Sequence, residues 1–151
     1  MKLAEALILR ADLQKRMEQV RNRLYNNVLV QEGELPSEDP NTLLKEFILL
    51  QDQLTSIIKS INKTNHTTKF NETMMLSDAL VERDGILVKR NILASAADRA
   101  SEKQDRYSRT EIKNVSTIDI KKYQSEADKL AKDFRVLDTK IQGMNWNIDL
   151  L

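Results

Sequence analysis

The chain has 151 residues, of which 31% are charged and 5% aromatic, with three glycines and two prolines. So few turn-forming residues exclude a turn-rich sheet protein and favour long solvated helices in a single helical domain over residues 1–151. The 24 Lys and Arg side chains nearly cancel the 23 Asp and Glu side chains, so no overall field draws the chain to nucleic acid or an anionic membrane. The lack of cysteine excludes disulfides, zinc thiolate sites and cysteine nucleophiles.

The sequence shows no targeting pattern and no spanning segment. Glu5 and Arg10 bracket only four apolar residues, far fewer than the roughly 7–15 of a secretory signal. The longest runs without charge, 24–31 and 141–148, have eight residues each, whereas a spanning helix needs about 18 or more. We therefore expect a cytoplasmic protein whose monomer does not insert stably into a membrane.

Apolar residues at spacings of three and four predict a first helix over residues 2–30. They are Ala6, Leu9, Leu13, Met17, Val20, Leu24 and Val28. Gly33, Pro36 and several acidic residues then predict a turn. Asp39 is placed as an N-cap, with Pro40 at the first helical position.

A second apolar face predicts a helix over residues 41–65. Its residues are Leu43, Phe47, Leu50, Leu54, Ile57 and Ile61. The short linker makes the first two helices an antiparallel αα-hairpin. Residues 67–75 lack a helical period, and their β-tolerant side chains leave open a loop or a small β-hairpin.

A third helix is predicted over residues 78–101, with Ser77 as its N-cap. Its apolar positions Ala79, Ile86, Leu93 and Ala100 recur every seven residues. Gly85 costs about 1 kcal/mol of helix propensity relative to alanine, and indicates close packing or a bend.

The fourth helix, predicted over residues 119–146, has the most regular pattern, a strict alternation of spacings three and four. The residues of this seam are Ile120, Tyr123, Ala127, Leu130, Phe134, Leu137, Ile141, Met144 and Ile148. The predicted fold is therefore mainly α. It has two long antiparallel helical hairpins in a coiled-coil-like four-helix arrangement, and leaves open a short β-hairpin or strand in the connectors.

No catalytic, cofactor or metal motif is found. His66 is the only histidine, it lies in a polar connector, and no Glu-x-x-His spacing accompanies it. Gly-rich phosphate loops and nucleophile elbows are also missing from the sequence. We therefore expect no enzyme activity, no cofactor and no metal site.

The connector at 104–113 is the densest polar segment outside the helices. Arg106, Arg109 and Lys113, with Tyr107, could bind a phosphate or a nucleobase. Acidic residues interleaved in the same segment favour a solvated tip or Arg–carboxylate pairs instead. RNA or phosphate binding is thus the weaker alternative, and nucleic acid is not an expected partner.

Trp146 lies off the seam of the fourth helix, on its outward side. Either the helix ends near Gly143 and the indole returns into the bundle, or Trp146 covers a second surface on another helix or subunit. Both interpretations make it a candidate interaction residue.

Several short segments resemble the septicolysin-like family of small, largely uncharacterised bacterial helical proteins. They are residues 2–7, 12–16, 30–34, 61–65, 104–113, 145–146 and 149–150. The resemblance implies an oxygen-independent cytolysin as an alternative function and assigns no catalytic residue. Because these segments lie at helix ends and connectors, it adds Asn62 and Asn65 to the candidate residues and suggests that 62–65 and 106–113 contact each other or a partner.

The apolar stripes themselves favour a non-enzymatic helical interaction or assembly protein. So many stripes on so few helices raise the question of burial between chains, and we expect a homo-oligomer. No small-molecule ligand is identified by the sequence.

Overall fold

A computed structural model of the chain contains four helices: α1 (Leu3–Asn27), α2 (Pro40–Thr67), α3 (Leu76–Ala100) and α4 (Ile120–Asn145). It describes residues 1–102, 110 and 112–151. The predicted mainly-α fold is confirmed, with α1 paired to α2 and α3 paired to α4. Every predicted helix boundary lies within three residues of the observed one.

No sheet occurs in the described part of the chain, although Lys69 and Met75, on either side of residues 70–74, each have the geometry of an isolated β-bridge residue. Residues 70–74 form a tight turn, in which the Phe70 N–H donates to the carbonyl oxygen of Met74 (2.9 Å). The Asn71 side chain closes the turn by accepting from the N–H of Thr73 (2.9 Å), a local bond that asparagine makes readily.

The chain divides into two compact units. Unit 1 comprises Met1–Lys69 and Gln142–Leu151, and unit 2 comprises Phe70–Ile141. The single domain expected from the sequence stays a prediction. None of the helices in the described residues is both long and apolar enough to cross a membrane.

The core of unit 1 lies between α1 and α2. Its buried side chains are Leu13, Met17, Val20, Leu43, Leu50 and Leu54. Each helix contributes residues three, four or seven positions apart, so each presents one apolar face to the other. This packing confirms the αα-hairpin that the sequence predicts.

The α1–α2 connector is fixed by hydrogen bonds at both of its ends. Asn27, which is buried, donates to the carbonyl oxygen of Arg23 (2.9 Å) and accepts from the N–H of Glu38 (3.0 Å). At the start of α2, the Asp39 carboxylate accepts from the N–H groups of Asn41 and Thr42, both at 3.2 Å. The predicted N-cap of α2 is therefore confirmed.

In unit 2, α3 and α4 are joined by an ion pair between Arg83 Nη1 and Asp138 Oδ1 (3.1 Å). The predicted N-cap Ser77 is wrong, since α3 begins two residues earlier than expected and its N-cap is Met75. The Asp78 carboxylate accepts from the Met75 N–H (3.2 Å), which gives that backbone group a partner without Ser77.

Candidate interaction surface

Helix α3 has two different apolar sides. Successive residues of a helix are about 100° apart, so Leu76, Ala79 and Ala97 lie on one side, and all three are buried. The opposite side carries Val81, Val88 and Ile92, which are 73%, 63% and 68% exposed. Both sides of α3 are thus apolar, and one of them is open to solvent.

The three exposed residues form a continuous line with Gly85, which is half-buried. Gly85 lies four residues after Val81 and three before Val88, and Ile92 follows four residues later. These spacings place all four residues on one face over about three turns. We call Val81, Gly85, Val88 and Ile92 the outer stripe.

Gly85 lies within the outer stripe and has open space in front of it. A Cβ atom built at this position would meet nothing within 4 Å. Close packing inside the chain, one of the two predicted reasons for this glycine, is therefore not found. Its cost in helix propensity has no compensating contact among the described residues.

The charges beside the outer stripe differ between its two ends. Asp78, Glu82 and Asp84 lie in the half nearer the start of α3, Lys89 lies next to the central Val88, and Arg99 lies near the end of the helix beside Asp98; all six are exposed. Asp84 also accepts from Arg83 Nε (2.9 Å) and Nη2 (2.8 Å). Arg83 itself extends to Asp138 on α4, on the covered side of α3.

The residues predicted in the 104–113 connector lie only partly within the described part of the chain. Arg106, Tyr107 and Arg109 lie outside the described residues, while Lys113 is described and exposed. Their grouping into a phosphate or nucleobase site therefore stays a prediction.

Asn62 and Asn65 lie in the last turns of α2, not in a connector as the resemblance suggested. The carbonyl oxygen of Asn62 accepts a hydrogen bond from Nδ1 of His66 (2.7 Å), which is exposed. The Asn65 side chain is half-buried. These contacts lie within one helix, and their roles as interaction residues stay predictions.

Trp146 follows directly after the last residue of α4 and is 57% exposed. Its indole therefore does not return into the interior, although the preceding Asn145 is buried. The alternative, that Trp146 covers a second surface on another helix or subunit, stays a prediction.

Polar contacts in unit 1 join residues near the two ends of the chain to each other and to α2, and the sequence did not predict them. We call these contacts the clasp. Leu3 N–H donates to the carbonyl oxygen of Ile148 (2.9 Å), and Lys2 Nζ lies 2.8 Å from Asp149 Oδ1. Thr64, fully buried in α2, accepts from the N–H of Leu151 (3.0 Å) through Oγ1. Lys2 donates a hydrogen bond to Asp149 and so lowers the pKa of that carboxyl. Partners about 90 to 150 positions apart leave no local signal that could have revealed the clasp.

The outer stripe was also missed, but a signal for it exists. Ala79, Ile86 and Leu93, which lie seven residues apart, indicated only one apolar line on α3. A second register two positions on, with Val81 and Val88 seven residues apart, defines the outer stripe.

The described pockets are small or open. One of about 150 Å³ between α3 and α4 is lined by Leu87, Arg90, Ala131, Phe134 and Arg135. Ligand pockets for drug-sized molecules occupy roughly 300–1,000 Å³. A groove of about 430 Å³ beside the α1–α2 connector is larger but wide open. Within the described residues, no three His, Asp or Glu side chains are grouped as a metal ion would need.

Two comparisons with known proteins found matches. The model of a family of unknown function, DUF6847, matches residues 10–150. The chain is also similar to a functionally unknown conserved protein from Corynebacterium diphtheriae, known from a crystal structure. The two share 42% sequence identity and a TM-score of 0.91, over 100% of this chain and 99% of the other. No curated protein matches the chain.

The resemblance to the septicolysin-like family is wrong, since neither match points to that family. It rested on segments of two to ten residues, and matches that short occur by chance in many unrelated proteins. The membrane-lytic alternative depended on that family name and is withdrawn with it. The match over residues 10–150 places the chain in the DUF6847 family of unknown function.

Proposed function

We propose that this chain is a non-enzymatic helical interaction protein that self-associates through the outer stripe of α3. The observation that carries the proposal is the exposed line of Val81, Val88 and Ile92 on a helix whose other side is already covered. Apolar side chains that follow one another along one face of a helix typically pack against a partner. The open side of α3 therefore lacks a partner.

Single exposed apolar residues are common and need no explanation. Val136 on α4 is such a case: it is 65% exposed, and Lys132, Asp133 and Lys140, each about one turn away, are charged. The outer stripe differs because its apolar side chains follow one another along one face. Each valine or isoleucine gains roughly 1.5–3 kcal/mol on full burial, so a partner helix would cover this face favourably.

The non-enzymatic part of the proposal is supported by the ionisable groups. Active sites typically gather groups with perturbed pKa values in a cleft. Here the Glu38 pKa is lowered by a hydrogen bond from Arg23, and the Asp39 pKa by a hydrogen bond from Thr42. Both carboxylates hold the α1–α2 connector in place, which is a structural task.

Light scattering of the purified protein tests the proposal. We expect a mass of twice the 17.5 kDa of one chain, because the outer stripe is self-complementary. Val88→Lys should return the protein to 17.5 kDa by placing a charge within the stripe.

Val136→Lys is the matched control, since it changes the same residue type at nearly the same exposure on α4. It should leave the mass of the assembly unchanged. A wild-type protein that stays monomeric at high concentration contradicts the proposal. So does an assembly that withstands Val88→Lys.

A further inference from the structure

We infer that two copies of this chain pack their α3 helices antiparallel, with the two-fold axis near Val88 and Gly85 of each copy in contact with the other helix. This inference rests on the proposed self-association and adds the orientation and the contact point. It commits to a second copy of the same chain as the occupant of the outer stripe.

The charges beside the stripe favour the antiparallel orientation. Asp78 flanks one end of the stripe and Arg99 the other, whereas Lys89 lies beside the axis in either orientation. A parallel pair would place like charges together, whereas an antiparallel pair places the acidic end of each copy beside the basic end of the other. Antiparallel helices also align their dipoles favourably. The stripe is therefore complementary to itself.

The position of Val88 fits a two-fold axis. Helix α3 runs from Leu76 to Ala100, so Val88 is its central residue. An axis through this point overlaps the two helices along their whole length. In that register Val81 of one copy faces Ser95 of the other, and both residues are exposed.

Gly85 gives the interface its contact point. It lies three residues from the axis, and nothing stands within 4 Å of where its Cβ would be. A residue without a side chain lets a second backbone approach closely. Ile92 of the second copy lies near this gap in the antiparallel register, so a large apolar side chain faces the smallest residue of the stripe.

Single-cysteine variants test the orientation, and the natural chain has no cysteine to interfere. Under mild oxidation Val88→Cys should give a covalent dimer, because a disulfide needs Cα atoms roughly 4.4–6.8 Å apart. Val81→Cys alone should not, since its two copies would lie about 21 Å apart along the helices. A mixture of Val81→Cys with Ser95→Cys should link. Val136→Cys is the control for random collisions.

The outcomes separate the inference from the proposed function. If Val81→Cys links with itself as readily as Val88→Cys, the pairing is parallel and the inference is wrong, while self-association through the stripe stands. If light scattering shows a dimer but no variant on α3 links, the inference also fails. A wild-type protein that is monomeric contradicts both the antiparallel pairing and the proposed self-association.

Gly85→Ala gives a second measurement that does not depend on oxidation. It should raise the dissociation constant roughly tenfold or more, because an added methyl group overpacks a close contact. Gly143→Ala in α4 is the matched control, since its added Cβ also meets nothing within 4 Å. The contact at Gly85 is refuted if both variants leave the dissociation constant unchanged.

Discussion

The α1–α2 hairpin and helix α3 use apolar residues in different ways. In the hairpin, the apolar side chains concentrate on one face of each helix, and that face is buried. Helix α3 buries Leu76, Ala79 and Ala97 on one side while the outer stripe stays exposed. The difference separates a helix pair whose main apolar faces pack against each other from a helix with a second apolar line open to solvent.

Exposed apolar residues on α2 do not weaken this comparison. Leu44 and Ile48 lie one turn apart on one flank, but Gln51 and Thr55 continue that line and are hydrogen-bonded to each other (3.1 Å). Leu49 lies on the other flank of the helix. The apolar line on α2 is therefore two residues long, whereas that on α3 spans about three turns.

The largest expected effect comes from emptying the hairpin core. Leu50 is 2% exposed and its neighbour Leu49 is 59% exposed. Leu50→Ala should lower the free energy of unfolding by about 2–5 kcal/mol, since it leaves a cavity between α1 and α2. Leu49→Ala should change it by less than about 0.5 kcal/mol. Urea denaturation measures the free energy of unfolding of both variants. Equal losses would show that the stabilising apolar contacts of α2 are not confined to the face that packs against α1.

A smaller loss is expected from the connector of the same hairpin. Asn27→Ala removes the hydrogen bond to the Arg23 carbonyl within α1 and the one from the Glu38 N–H, which is left without its partner. The free energy of unfolding should fall by about 1–2 kcal/mol. Asn26→Ala, next to it and exposed, should have little effect on the same urea curve. If Asn27→Ala and Asn26→Ala lower the free energy of unfolding equally, Asn27 does not fix the connector.

The covered side of α3 is tested by its ion pair with α4. A double-mutant cycle with Arg83→Met and Asp138→Asn should give a coupling energy of about 1 kcal/mol, because both side chains are partly buried. The coupling is read from thermal or urea unfolding of the four proteins. A coupling near zero would mean that apolar contacts alone hold α3 to α4.

The smallest effect concerns Glu38. Arg23 donates a hydrogen bond to its carboxylate and thereby lowers its pKa. A lowered pKa in the folded state means that the ionised form stabilises the fold. This stabilisation is present above the unfolded pKa of about 4.3 and is lost as pH falls through the lower folded pKa. Arg23→Met should therefore raise the Glu38 pKa in an NMR titration. An unchanged value would show that the ion pair does not form in solution.

The regular spacing of apolar residues predicted all four helices because each helix must cover at least one face. The start of α2 was predictable as well, since Asp39 and Pro40 have local roles at a helix start. The start of α3 was not, because its N-cap Met75 has no capping side chain of its own and its N–H is bonded by Asp78 three residues later. The clasp around Thr64 joins residues 87 positions apart, which spacing within a helix cannot reveal.

The sequence contains the apolar spacing of the outer stripe, but it does not show whether that side of α3 is buried or exposed. Val81, Val88 and Ile92 are visible as a second register of α3. Only the structure shows that Leu76 and Ala79 occupy the covered side, which leaves the second register exposed. Candidate interaction residues were instead predicted in the 104–113 connector and at Trp146, because these positions depart from the regular spacing of apolar residues.

The concentration dependence of unfolding tests the central claim most directly. Association of folded chains stabilises them by mass action, so the urea midpoint of the wild-type protein should rise as protein concentration increases a hundredfold or so. Val88→Lys should abolish this rise, and Val136→Lys should keep it. A wild-type midpoint that does not change over the same range would contradict self-association through the outer stripe.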